Sequence, residues 1–196
     1  MAETEVTPIG WERALMAAEK VKERLRRATK ALEAAGVPYA VAGGNAVAEW
    51  VGRADEGAVR NTRDVDLLVR RTDLAAVKAV LEAVGFVYHH VLNVDTFVDG
   101  PQGRPSEGVH LLFGGEKVRP NDDHALPNLD ESERAAEFQV ATLPALVRMK
   151  LMAYRRKDQV HLLDLIAVGL LDATWPARFP APLGDRLQQL LDDPNG

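Results

Sequence analysis

The chain has 196 residues, of which 46% are hydrophobic and 27% charged, and its formal net charge is -5. That length suits one compact domain, or a core domain with a small helical appendage, and the composition excludes global disorder. The absence of cysteine excludes disulfides and thiolate metal sites, so any metal must be held by oxygen or imidazole, while the net acidity argues against non-specific coating of nucleic acid.

The opening segment, MAETEVTPIGWERALMAAEK, carries neither a basic n-region nor an apolar h-region, and no apolar run approaches a membrane span. A cytoplasmic location is the expectation. Trp11, Leu15, Ala18, Val21, Leu25, Ala28 and Leu32 recur at three- and four-residue spacing, which predicts a helix over 11–35 that Gly36 ends. VPYAVAGG then reads as a buried strand and a tight turn, and a short helix is expected from Asn45 to Gly52. The polar stretch from Gly52 to Arg63 reads as a loop.

DVDLLVR is the clearest strand, and Asp73 is positioned to cap the helix that follows through Leu74, Val77, Leu81 and Val84. FVYHHV, DTFVD and VHLLF read as strands, GPQGRPSEG as a turn, EKV as a short strand, and PNDDHALPNLDESER as irregular. FQVAT is a last strand. From Leu143 onward the pattern is helical, with a last short helix after Pro176, Pro180 and Pro182. Strands come early and helices dominate the end, which argues for an α+β fold: a mixed sheet, or palm, with flanking helices and a helical C-terminal part. The expected division is a core at 1–140 and a helical part at 141–196 packed on it.

Three features carry chemistry. Gly43-Gly44 stands at a strand end just before a helix, where glycine lets a phosphate approach the backbone and exposed amides attract an anion. Gly44-Asn45-Ala46 lacks the Lys-Ser/Thr of a Walker loop, and by itself the pair is a tight turn. Asp64 and Asp66 occupy positions i and i+2 of a strand and therefore point to the same side. Like charges held so close repel unless a cation lies between them. Mg²⁺ or Mn²⁺ would serve, as would Arg60, Arg63 or Arg70 on a solvated strand end. Lys150, Tyr154 and Lys157, spaced i, i+4 and i+7, read as one helix face, and Arg155 to Lys157 form a charge run that suits phosphate or a solvated surface.

In order and spacing, AGGNAVAEW and TRDVDLLV resemble the nucleotidyltransferase superfamily that includes DNA polymerase beta, and residues 143–165, LPALVRMKLMAYRRKDQVHLLDL, are similar to the helical tail of bacterial abortive-infection-type nucleotidyltransferases. The resemblance spans about 37–165. It implies a nucleotidyltransferase-like palm, an NTP substrate, Mg²⁺ or Mn²⁺ on Asp64 and Asp66, and Gly43, Gly44, Asn45, Arg63 and Lys150 around the nucleotide. It also implies transfer to a hydroxyl of RNA, protein or a small molecule, and an antitoxin partner if the chain is a toxin. The family's third carboxylate is replaced here: the residue in register on VHLLF is His110, which can act as a base but is a poor Mg²⁺ ligand. Asp95, Asp99 and Glu107 are alternatives for that carboxylate. His89, His90 and His124 read as structural or exposed. The alternative to an enzyme is a catalytically impaired nucleotide-binding or regulatory module of the same fold. An adaptor that contacts nucleic acid through 148–157 is disfavoured by the net acidity.

Overall fold

The computed structural model describes residues 9–91, 93–119 and 122–194; the reading of the first eight residues, and of Pro120 and Asn121 within the irregular stretch, falls outside them. Helix α1 (Gly10–Ala34) is followed by β1 (Ala40–Ala42), α2 (Gly43–Ala54), β2 (Val65–Val69), α3 (Leu74–Ala83), β3 (Phe86–Val91), β4 (Val94–Asp99) and β5 (Val109–Phe113). Then come β6 (Ser132–Arg134), β7 (Gln139–Ala141), α4 (Leu143–Ala153), α5 (Arg156–Ala167) and α6 (Ala181–Asp192). The strands form one mixed sheet in the order β3-β4-β5-β2-β1-β7-β6, with β2 parallel to β5 and β1 parallel to β7.

Alternation along the central strands gives the sheet two unlike faces. Val41, Leu67 and Leu111 lie in register on one face, buried with Val21, Leu25 and Leu32 of α1 and Val77 and Leu81 of α3. The other face carries Ala40, Ala42 and Leu68, packed with Leu126 and Met149. The larger core continues without a break into Leu146 and Leu151 of α4, Leu162 and Leu165 of α5, and Leu187 of α6.

Several elements differ from their sequence reading. The first turns of α1 are not part of the core: Trp11 is 65% and Leu15 57% exposed. The 25-residue helix runs about 37 Å, and its buried side chains begin only at Ala18. Helix α2 starts at Gly43 rather than Asn45, and Asp73 makes no side-chain cap because a short 3₁₀ turn leads into α3. Residues 116–118 form no strand, whereas Ser132–Arg134, within the stretch read as irregular, pair with β7 at the sheet edge.

Candidate active site

The β2 pleat sends Asp66 to the face opposite Val65 and Leu67, and Asp64, one residue before the strand, follows the same alternation. Parallel pairing sets Asp66 directly beside His110 of β5, while Val109, Leu111 and Phe113 point into the helical core. The two carboxylates and the imidazole therefore meet, each offering a ligand atom within 4.8 Å of the others.

Neighbouring elements fix these three groups. Gly43 has φ +62°, and a Cβ there would stand 1.8 Å from Asp66 Oδ2, so the α2 amino end touches the carboxylate through a bare Cα. A Cβ on Gly44 would meet the Thr62 side chain at 2.8 Å. The Thr62 hydroxyl donates to Asp64 Oδ1 at 2.7 Å, and the Asn45 amide donates to the Asp64 carbonyl at 2.7 Å. Arg24, buried on α1, donates to the Arg63 carbonyl and to Asp99, which ties the start of β2 to the end of β4. His110 Nε2 lies 2.7 Å from the Pro105 carbonyl. A carbonyl can only accept, so Nε2 carries the proton and Nδ1 faces the acids.

These contacts set the electrostatics. Burial pushes the Asp64 carboxyl up, but the Thr62 hydroxyl and the charge of Lys157 more than offset it and hold the group below its usual range. The adjacent Asp66 carboxylate pushes the His110 imidazole up; burial opposes this, and the Pro105 carbonyl and the Asp64 charge reinforce it.

The acids open onto a cleft of about 640 Å³ that runs from Gly43 and His110 to Arg155, Lys157 and Arg186. The cationic wall is built differently from the single helix face expected. Helix α4 ends at Ala153, and Tyr154 takes a left-handed φ of 43°, so Lys150, Tyr154 and Lys157 do not share one helix. Arg186 holds this break: its guanidinium donates to the Leu151 carbonyl at 2.6 Å, and its own carbonyl accepts from the Tyr154 hydroxyl at 3.1 Å. Lys150 lines the cleft but is buried, with Nζ 3.2 Å from Asp158, a residue with no exposed surface. Arg155 donates to the other oxygen of Asp158 at 2.8 Å. Burial works against Asp158 ionisation, and Arg155 and Lys150 more than offset it, holding the carboxyl below its ordinary range.

Of the residues singled out by sequence, Gly43, Asp64, Asp66, His110 and Lys150 line one cleft. Gly44 and Asn45 support it from behind, and the Arg63 side chain is exposed outside its lining. The alternatives to His110 lie elsewhere: Asp95 binds Tyr88 and His90, Asp99 binds Arg24 and Arg27, and Glu107 is exposed near Arg104. His89 and His90 are exposed, as expected, but half-buried His124 lines the cleft. Thr62 and Arg186 were not anticipated, and Asp158, an expected partner for Arg156 or Lys157, pairs with Lys150 and Arg155 instead. Only Thr62 had a local signal, a hydroxyl two residues ahead of a carboxylate.

The donor set fits a divalent cation. Asp64 Oδ2, Asp66 Oδ1 and His110 Nδ1 converge, yet the nitrogen is 3.8 and 3.6 Å from the two oxygens, beyond hydrogen-bond reach. Two anionic acceptors and a ring nitrogen facing each other at that spacing leave room for an ion among them.

Comparison with known proteins bears on the same region. Residues 11–157 match a family described as uncharacterised nucleotidyltransferase. An antigenic nucleotidyltransferase-like protein from Paracoccidioides brasiliensis superposes with a TM-score of 0.57 at 18% identity, covering 91% of this chain and 90% of that one. The antibiotic-resistance factor ANT(2'')-Ia superposes with a TM-score of 0.55 at 14% identity, covering 90% and 92%. Its complex with adenylyl-2''-tobramycin gives 0.54 at 14% identity, covering 91% and 99%. At these identities the likeness is one of fold. No curated protein sequence matches the chain.

Proposed function

The chain belongs to this nucleotidyltransferase family, and from that premise we propose that it moves a nucleotidyl group from a nucleoside triphosphate to a hydroxyl acceptor, aided by a divalent ion on Asp64 and Asp66. The observation that carries the reading is the meeting of these two carboxylates with the Gly43 turn, at the floor of a cleft whose far wall is cationic. When bound, the ion supplies charge neutralisation on the phosphates and polarises the phosphorus under attack. Asp64 and Asp66 would hold it through their carboxylate oxygens. Gly43 keeps the α2 amino end open, so that backbone amides and a phosphate can approach each other. Arg155 and Lys157 face the acids and offset the charge that gathers on the departing pyrophosphate. Lys150 acts at one remove: it neutralises Asp158, which in turn orients Arg155.

The acceptor hydroxyl belongs to RNA, protein or a small molecule. The ANT(2'')-Ia complex, which contains an adenylylated tobramycin, supports a small-molecule acceptor. A toxin–antitoxin role is a finer reading that rests on the tail resemblance alone. A nucleoside triphosphate substrate is in keeping with a cytoplasmic site of action.

The test is to incubate the protein with each labelled nucleoside triphosphate, Mg²⁺ or Mn²⁺, and total cellular RNA, protein or small-molecule extract. Label should move to one acceptor class, and the Asp64→Asn/Asp66→Asn variant should lose both the transfer and metal-dependent triphosphate binding. Binding without transfer in every arm would describe a nucleotide-binding module instead of an enzyme. Unchanged binding in the double variant would assign the acids to structure.

A further inference from the structure

His110 sits where its ring can do only one thing well. Nε2 is committed to the Pro105 carbonyl, so it is not free to take a proton from a substrate. Nδ1 is aimed between Asp64 and Asp66, at 3.8 and 3.6 Å, too far from either for a hydrogen bond. A ring whose outer N–H is held by a backbone carbonyl, with its inner nitrogen turned toward carboxylates, has the tautomer and orientation of a metal-ligating histidine. The side chain is 22% exposed and both carboxylates 20%, so the three donors are held from the protein side and open only toward the cleft.

The spacing is informative as well. Ligands about 2.1 Å from an ion stand about 3.4 Å apart in a tetrahedron and about 3.0 Å apart as octahedral neighbours. The observed separations of 3.6 and 3.8 Å need only a few tenths of an ångström to close on a four-coordinate ion. Mg²⁺ prefers oxygen and demands a tighter octahedron, whereas Mn²⁺, Co²⁺ and Zn²⁺ accept imidazole beside carboxylate.

Resting on the proposed metal-dependent reading of this cleft, we infer that His110 is the third metal ligand, through Nδ1, and that it turns the site toward nitrogen-accepting divalent ions and away from Mg²⁺. His110 is then a residue that determines metal specificity, and proton removal from the acceptor falls to another group.

Pulsed electron paramagnetic resonance of Mn²⁺ on the metal-stripped protein tests this without any turnover. Wild type should show the modulation of a directly bound ¹⁴N, and labelling with ¹⁵N-histidine should replace it with a ¹⁵N coupling. In His110→Gln the coupling should vanish. In His110→Asp it should also vanish, while the Mn²⁺ over Mg²⁺ affinity ratio falls by about 10-fold or more, the lower end of what even an outer-shell partner contributes. Mn²⁺ bound by wild type through Asp64 and Asp66 with no nitrogen coupling would overturn the inference and leave the proposed function standing. No Mn²⁺ bound by wild type or by His110→Asp would overturn both. The isotope experiment needs no variant, so a misfolded substitution cannot leave the question open.

Discussion

Replacing Gly43 by alanine separates backbone strain from damage to the site. An L-residue at φ +62° costs about 1–2 kcal/mol. At about 2–4 °C per kcal/mol for a chain of this size, that lowers Tm by roughly 2–8 °C. The added methyl has a second effect. It would stand 1.8 Å from Asp66 Oδ2 and 2.6 Å from Cγ, so the carboxylate or the first turn of α2 must move by about 1.5 Å to reach ordinary contact. A displacement of that size at a reacting centre costs about 100-fold or more in rate, and metal-dependent nucleotide binding should weaken with it. Gly36→Ala is the internal control. It has φ +66° and nothing within 4 Å of the new Cβ, so it carries the strain without the collision. Thermal melts and calorimetric titration with Mn²⁺ and nucleotide would compare the two. Similar Tm losses with binding lost only in Gly43→Ala are expected. Should Gly43→Ala bind nucleotide and metal as wild type does, the contact between the glycine turn and Asp66 has no part in the site.

Two further expectations concern the cationic wall and the helix behind it. Lys150→Met leaves the fully buried Asp158 with Arg155 alone and should cost about 3 kcal/mol in urea unfolding; Lys150→Met/Asp158→Leu should recover much of that, and a single variant as stable as wild type would deny the pair its role. Burial, helped by Lys150 and opposed by Asp158 and Asp164, lowers the His161 imidazole to about 4, and its Nδ1 has no partner. The unfolded chain then binds a proton near pH 6.5 that the folded chain refuses, so stability falls with falling pH, by about 2 kcal/mol between pH 7 and 5. His161→Leu should flatten this part of the stability profile; an unchanged slope would mean that the ring protonates freely in the fold.

How much of this was legible in the sequence depends on the range of the forces involved. Asp64, Asp66 and His110 could be assigned to one face because strand alternation is a two-residue rule, and the apolar partners Val65, Leu67, Val109 and Leu111 state it twice. Gly43 looked like a phosphate turn; that its Cα also packs against Asp66 depends on the β1–β2 register, which no local pattern encodes. Side-chain spacing alone did not reveal the break at Tyr154, because neither glycine nor proline marks it and the residue that holds it, Arg186, lies 32 positions away. Strand β6 was missed for a related reason. Ser132, Glu133 and Arg134 have no strand pattern of their own and are ordered by pairing with β7 at an edge, where Glu133 also reaches Arg53.

If His110 stands where the resembling family has a third carboxylate, as proposed above, the exchange would change the charge of the site as well as its ligand type. Three carboxylates around a divalent ion would leave the centre formally at minus one; Asp64, Asp66 and a neutral His110 bring it to zero. On that reading, a triphosphate entering the cleft would meet less repulsion at the acid end, and the far wall would have less to offset. In the wall, Lys150 is already neutralised by Asp158 and Arg155 shares the same carboxylate, which leaves Arg119, Lys157 and Arg186 as cleft-lining cations whose side chains make no ion pair with a carboxylate among the described residues. Arg186 is itself occupied with the end of α4. On the proposed metal-dependent reading, a formally neutral centre would stand opposite a wall whose cations are partly self-compensated. Restoring an acid at position 110 would upset that match. His110→Asp should strengthen Mg²⁺ binding and, by returning a negative charge to the floor, make nucleotide affinity depend more steeply on the cation concentration, which titration at several Mg²⁺ levels would read directly. An equal dependence in wild type and variant would show that the charge of residue 110 is not felt by the phosphates, and the pairing of the two walls would then be fortuitous.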